Sequence, residues 1–537
     1  MAAMAGPPRL TRAARAHLPA DTVRGLPPEG AGVGIVHLGP GAFHRAHQAV
    51  FTQEAMAAEG GDWAICAAAA RGRAVVDALR AQDGLYTVTE RAADGADRVR
   101  VVGAVADAVS ARDEPERFAV AVAAPTTHVV TLTVTEAGYR HDPATGRLAE
   151  DDPETAADAA GRPPRTAVGQ LVRGLQARSR LGGTPLTVLS CDNLPANGRL
   201  LRGLVESFCA LLPEREGGPL WEWISAHTAF CGTVVDQVVP ATTPADVDRV
   251  AAALGYRDTA AVVGEAYRSW IIEDAFAGPR PAWERVGARL VADLAPYETV
   301  KLRCVNAVHS AAACLGLLLG ATTVSEAVGH PALRPFLVAL YERELAPSAA
   351  AHGGAPPAAE AVLARLGNPH LRHRLAQIAL QGAKKLPQRL LAPAAEHLAT
   401  GRDPRLACLA VAGWARLLRL PPGERPALEA GSEDIAAGLA AARGPREAVD
   451  LLRVHVPALS QGGGRDLGDR VADALAGLER EGAEGALRAA AAGGGGPPAR
   501  GAPPRRPPPR RAEPPRTMTN RTNEEGTRCA SGEPCWS

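Results

Sequence analysis

The sequence predicts an α/β protein in which a doubly wound parallel-sheet region precedes a mostly α-helical one. Three observations predict it. Short apolar runs alternate with amphipathic helical segments up to about residue 295. The first of these runs ends on Gly39-Pro40-Gly41, a pair of glycines where a strand would turn into a helix. Beyond Pro296 the apolar spacing is helical throughout and β-branched runs disappear.

Residues 1–30 are rich in Pro and Ala and read as an extended lead-in. Val33–Leu38 is an apolar run stopped by glycine and proline, hence a strand and a turn. Arg45–Ala58 reads as a helix, Trp63–Ala67 as a second strand and Ala74–Ala81 as a helix. Tyr86–Thr89 and Val99–Val102 are strands, and Val129–Val134 is a β-branched run suited to burial on both faces of a parallel sheet. Ala167–Arg178 is helical, Leu186–Leu189 a buried strand and Asn197–Leu211 a helix. This alternation assigns residues 31–295 to a Rossmann-like nucleotide-binding domain.

Thr299–Gly320, Thr323–Val328, Leu333–Ala346, Ala359–Leu366, Leu371–Ala379, Leu406–Leu418, Ala436–Ala442, Pro445–Val454 and Arg470–Arg480 read as helices. They make a second domain over 296–488, and a cleft between two such domains suits a small substrate. Between Ala491 and Arg516 every residue but Glu513 is Ala, Gly, Pro or Arg. Residues 489–537 are therefore expected to be a disordered tail.

Composition narrows the function. The chain has 537 residues, 46% of them hydrophobic, and 59 basic against 58 acidic side chains, for a net charge of +1. That balance argues against a nucleic-acid partner. The longest uncharged apolar run, Ser310–Ala321, has 12 residues and follows Lys301, Arg303 and His309, so it reads as a buried helix and not as a membrane span. Pro7, Pro8, Arg9, Arg12 and Arg15 interrupt any secretory core, although the same stretch is Arg-rich and acid-poor as organelle transit peptides are. The nine cysteines are scattered without a CxxC pair, which suggests a reducing cytoplasm and no metal site.

Only three of the 59 basic residues are lysines: Lys301, Lys384 and Lys385. Where arginine replaces lysine almost everywhere, a retained lysine points to chemistry that needs a removable proton. Asparagine is also rare, and Lys301 lies five residues before Asn306.

Four segments carry candidate chemistry. Gly39-Pro-Gly41-Ala42-Phe43-His44 offers a tight turn and a helix start for a pyrophosphate, though His44 stands where a third glycine is usual. The second strand ends on Arg71 and Arg73 and not on the acid that binds a ribose, which leaves NAD or NADP open. Ser190-Cys-Asp192-Asn193 follows a buried strand, at the sheet edge where ligands bind. Pro296-Tyr-Glu298-Thr-Val-Lys301, continuing to Asn306 and His309, starts a helix. At α-helical spacing Asn306 and His309 are about 60° apart and Lys301 and His309 about 80° apart, with Lys301 and Asn306 on opposite flanks of one cleft. Burial near a helix start would lower the lysine pKa; a polar stripe on a surface helix is the bland alternative. The last segment, Asn368 to Pro387, gathers His373, Arg374 and Lys385 with other basic residues. It reads either as a carboxylate grip or as a solvated basic face.

Together these segments resemble the polyol-specific long-chain dehydrogenase/reductase family, the mannitol dehydrogenases. The resemblance runs over about residues 30–480, through GIVHLGPGAFHRAHQAV, LSCDNLPANG, VVDQVVP, PYETVKLRCVNAVHS and NPHLRHRLAQIALQGAKKLPQRLL. It implies NAD-linked, metal-independent oxidation of a secondary alcohol. Lys301 would be the general acid and base, Asn193 and Asn306 would donate to the developing alkoxide, and His309 would orient the substrate. Glu298 and Glu136 would pass protons. Gly39, Gly41, Ala42, Phe43, Arg71 and Asp192 would bind the cofactor, and Asp236 the substrate. The His373-Arg374 and Lys385-Leu-Pro-Gln-Arg389 segments look closest to the fructuronate reductase branch, so Arg374 and Lys385, with His373, are expected at a sugar carboxylate.

Three positions depart from the family pattern: Gln237 for an arginine, Gln381-Gly-Ala383 for Asp-Gly-Ser, and TEAGY for TEKGY. The expected activity is interconversion of D-mannonate and D-fructuronate by a monomer or small homo-oligomer. The alternatives are a mannitol or arabinitol dehydrogenase and, more remotely, an impaired nucleotide-binding homologue.

Overall fold

The structure is a computed structural model and describes residues 6–142, 145–425, 432–461 and 466–493. Its centre is a six-stranded, wholly parallel sheet. In chain order its strands are β1 (Val33–Leu38), β2 (Ala64–Ala69), β5 (Val105–Ser110), β6 (Val129–Leu132), β7 (Leu186–Ser190) and β8 (Thr228–Cys231). They lie side by side as β5-β2-β1-β6-β7-β8, and every neighbouring pair is parallel. This is the dinucleotide-binding order, with its switch point between β1 and β6. The strands are buried almost end to end because helices cover both faces, which is why they read as unbroken apolar runs.

Two small sheets flank this one. β3 (Tyr86–Arg91) pairs with β4 (Arg98–Val102) and β10 (Val262–Glu265), while β11 (Ser269–Glu273) pairs with β9 (Thr233–Asp236) and β12 (Arg289–Val291). β5 and β8–β12 escaped the sequence reading, because they are short and their apolar residues do not stand out from an Ala/Val-rich background. The helices Pro115–Ala123, Glu214–His227, Pro244–Leu254 and Ala392–Ala399 were also not expected, whereas Ala74–Ala81, Asn197–Leu211 and Ala359–Leu366 coincide with the expected ones.

The lead-in differs from expectation. Leu10, Ala14 and Leu18 are buried against Leu85, Val101, Val250 and Leu254, around a short helical turn at Arg12–His17. Apolar side chains at four-residue spacing make that stretch part of the core. Among the described residues after Val291 every named element is helical, and their core is formed around Ala307–Leu318 and Arg405–Leu418. The last helical stretch, Leu467–Ala492, is broken at Gly482, where φ is 72° and ψ 168°, and runs past the expected boundary at 488. The Arg- and Pro-rich tail lies beyond the described residues.

Candidate active site

The site forms where the carboxyl ends of β7 and β9 meet the first long helix of the C-terminal half. A short helix, Ala295–Val300, starts with Pro296 in its first turn, where a missing N–H costs nothing. Lys301–Asn306 then widens into a π turn, in which the Ala307 N–H bonds to the Leu302 carbonyl five residues back. This corrects the α-helical spacing. The wider turn brings Lys301 and Asn306 closer in angle than α-helical spacing would, although Lys301 lines both cavities and Asn306 neither. An α-helix resumes at Ala307–Leu318 and carries His309 and Ser310. A second π turn, Pro387–Leu391, packs against the first and brings Arg389.

The Lys301 ammonium donates to Asn193 Oδ1 at 2.5 Å. Burial lowers the Lys301 pKa to about 8, with Arg389 and Arg365 adding to the effect and Asp236 and Glu298 opposing it. With its carbonyl taken by the lysine, the Asn193 amide is left with its NH2 to donate. Asn306 is buried, and its Nδ2 has no partner among the described residues. Burial also lowers His309 to about 3, so its imidazole is neutral at pH 7. The His373 ring meets it edge-on at 5.7 Å.

Arg365 was not anticipated, yet it organises the opposite wall. It ion-pairs with Asp236 at the end of β9 and donates to Glu265 at the end of β10, through Nη2 at 2.6 Å and Nε at 3.0 Å. Its guanidinium also lies 4.0 Å over the Tyr267 ring. Burial pushes the Asp236 carboxyl up, but Arg365 and Lys301 outweigh that and hold it below its ordinary value. Glu265 stays above its ordinary value, because burial outweighs the same arginine and the Asp236 charge adds to the rise. The only sequence signal was an arginine three residues before Asn368-Pro369. Lys301, Asp236, Glu265, Arg365 and Arg289 all line one cavity of about 910 Å³. A void of about 20 Å³ lies among Asn193, Glu298 and Lys301.

The other expected residues divide. Glu298 accepts the Ala196 N–H at 3.0 Å, beside Lys301, and burial raises its pKa. Glu136 sits on a turn after β6, outside the lining of both cavities. Asp192 holds backbone: its carboxylate accepts from Val134 N, Thr135 N and Tyr139 Oη at 2.7–3.0 Å. That grip keeps Thr135 at φ 67°, a strained left-handed conformation. Arg374 is exposed and lies outside the cavity lining, and Lys385 donates to the Leu380 carbonyl at 2.9 Å. Arg389, also outside the lining of both cavities, lies behind Asn306, with Nη1 3.4 Å from its carbonyl oxygen. It is largely buried, donates to Ser310 Oγ at 3.0 Å and has no carboxylate partner among the described residues. Burial lowers its pKa to about 10. Gln237 donates to the Glu265 carbonyl at 3.0 Å.

A separate cleft of about 240 Å³ opens at the switch point, between the ends of β1, β2 and β6. Gly39 has φ +100°, and a Cβ there would meet the Thr133 carbonyl oxygen at 2.2 Å. A Cβ on Gly41 would meet nothing closer than 3.9 Å. Ala42 and Phe43 begin the helix that follows, and Phe43 stacks on His47 at 5.0 Å. Arg71 lines the same cleft.

Comparison with known proteins agrees with this architecture. Residues 33–285 match the family profile of the mannitol dehydrogenase Rossmann domain, and residues 293–421 that of the mannitol dehydrogenase C-terminal domain. D-mannonate oxidoreductase of Escherichia coli (strain K12) is 40% identical over 71% of this chain and 79% of its own. Mannitol 2-dehydrogenase of Pyrenophora tritici-repentis is 35% identical over 84% of this chain and 80% of its own. Among solved structures, the Pseudomonas fluorescens mannitol 2-dehydrogenase ternary complex with NAD and D-mannitol superposes with TM-score 0.78, at 28% identity, over 90% of this chain and 99% of that one.

Proposed function

The chain belongs to the mannitol dehydrogenase family, an oxidoreductase of CH–OH groups in polyols or sugar acids, and on that premise we propose that it interconverts D-mannonate and D-fructuronate with NAD. The switch-point cleft suits the nucleotide: Gly39 permits the close turn, Gly41 leaves the approach open, and Ala42 and Phe43 start the helix behind it. Bound there, the nicotinamide supplies the acceptor or donor of hydride.

In oxidation, neutral Lys301 takes the proton of the alcohol; in reduction, protonated Lys301 returns it to the ketone oxygen. The NH2 groups of Asn193 and Asn306 donate to that oxygen as charge builds on it. His309, neutral at pH 7, orients the substrate, and Glu298 passes the proton onward.

One observation carries the sugar-acid reading: two guanidinium groups near Lys301, those of Arg289 and Arg389, have no carboxylate partner among the described residues. In the cavity wall, Arg91 and Arg365 are tied to carboxylates, whereas Arg289 is exposed without one among the described residues. Arg389, buried beside Asn306 and also unpaired, would be offset by a substrate carboxylate. We assign that role to Arg389 in place of Arg374 and Lys385. Of the two relatives described, D-mannonate oxidoreductase is the one named for a sugar acid. The enzyme is placed in the cytoplasm, where thiols stay reduced; the seven cysteines among the described residues are free and buried.

The test is NADH oxidation with D-fructuronate and D-fructose as paired substrates. Fructuronate is expected to be preferred, and Arg389→Met to lower its kcat/KM by about 10- to 100-fold while leaving fructose unaffected. Arg389→Lys, which keeps the charge, should retain part of the preference. A preference for fructose, unchanged in Arg389→Met, would move the enzyme to the mannitol branch.

A further inference from the structure

The switch-point cleft carries a charge pattern that the assignment of NAD does not require. Arg71 stands two residues beyond Ala69, the last residue of β2, and is exposed in the cleft wall. In this sheet order the end of β2 lies beside the ribose of a bound dinucleotide, where a carboxylate selects the 2′-hydroxyl and an arginine suits a 2′-phosphate. A second arginine, Arg165, reaches the same cleft from the segment preceding the helix Ala167–Arg180, and it is also exposed. Its backbone is fixed, because Asp158 accepts Arg165 N at 2.9 Å and Thr166 N at 2.8 Å, while neither Arg71 nor Arg165 has a carboxylate partner among the described residues.

The nearby acids are spoken for. Arg73 donates through Nε to both oxygens of Asp77, at 3.1 and 3.2 Å, and approaches Asp113 at 4.0 Å. No carboxylate lines the cleft among the described residues, and a Cβ on Gly72 would meet nothing within 4 Å, so the approach beside Arg71 is open.

We propose that Arg71 and Arg165 form a subsite for the 2′-phosphate of a nicotinamide dinucleotide phosphate, so that this chain takes NADP(H) as well as NAD(H). The proposal rests on the reading of the cleft as a nucleotide site. Two guanidiniums and no carboxylate make a phosphate dianion welcome where an acid would repel it.

The test is calorimetric titration of the full chain with adenosine 2′,5′-bisphosphate and with adenosine 5′-monophosphate, which differ only in the 2′-phosphate. The bisphosphate is expected to bind at least about tenfold more tightly. Arg71→Ala and Arg165→Ala should each shrink that difference, weakening the bisphosphate more than the monophosphate. Equal affinities, an equal loss of affinity for both nucleotides in the variants, or no binding of the bisphosphate at millimolar concentration would overturn the subsite. The sugar plays no part in this titration, so its failure is separable from failure of the fructuronate assay.

Discussion

Lys301 Nζ and Asn193 Oδ1 lie 2.5 Å apart across 108 residues of sequence, joining the helix of the C-terminal half to the edge of the parallel sheet. In the proposed reaction the contact ties the protonating group to the rim where a dinucleotide would present its reactive ring. It also occupies the amide oxygen, leaving the two N–H donors of Asn193 for a substrate oxygen.

The Lys301 pKa of about 8 sets opposite pH dependences for the two directions. Oxidation needs the neutral amine, so kcat for mannonate should rise through pH 8 and level off above it. Reduction needs the ammonium, so kcat for fructuronate should be full below pH 8 and fall above it. Lys301→Ala should abolish both inflections and lower kcat by about 10²- to 10⁴-fold. A variant that kept the wild-type profile would remove Lys301 from the chemistry.

Asn306 has a buried Nδ2 without a partner among the described residues. A donor held ready in this way acts on charge that develops during reaction. Asn306→Ala should therefore lower kcat by about 10²- to 10³-fold with little change in KM, as steady-state kinetics would show.

Arg365 compensates two buried carboxylates, Asp236 and Glu265. Removing it strands both charges. Arg365→Ala should cost about 3–5 kcal/mol in urea unfolding at pH 7. Asp236 has a folded pKa below its unfolded value, so its contribution is present above that unfolded value and lost as pH falls through the folded one. The stability deficit of Arg365→Ala should accordingly narrow in acid.

Gly39 and Gly41 should respond differently to alanine. At Gly39 the strained φ and the Thr133 carbonyl at 2.2 Å predict a loss of about 2 kcal/mol or more of stability. At Gly41 the added methyl clashes with nothing in the protein. Gly41→Ala should keep the wild-type melting temperature and weaken NADH binding, measured by fluorescence titration.

Leu10 is fully buried against the nucleotide-binding half. Leu10→Ala should cost about 2–5 kcal/mol, read by thermal or urea unfolding. A loss near zero would return residues 6–18 to the status of an appended lead-in.

The parts of the fold legible in the sequence were those governed by local pattern. β1, β6 and β7 announce themselves because a strand buried on both faces must be apolar along its whole length. The helices at Ala74, Asn197 and Ala359 follow from apolar spacing that repeats every three to four residues. Lys301, Asn193, Asn306 and His309 were singled out for another reason: two scarce residue types coincide with a long, spaced motif.

Periodicity could not find the π turn at Lys301–Asn306, because the hydrogen bond five residues back is selected by packing against the turn at Pro387–Leu391. Nor could it find Arg365, whose role exists only once Asp236 and Glu265, 129 and 100 residues away in sequence, are beside it. The same holds for Arg165 at the switch-point cleft and for the burial of Arg389, on which the proposed carboxylate grip rests. The amino-acid sequence by itself determined the strands and helices with strong local periodicity, the family of the chain and the candidate lysine, since each is written in local pattern or motif. The tertiary structure alone decided which charges are paired and which remain free for a ligand, because an ion pair depends on distance in space and not on separation along the chain.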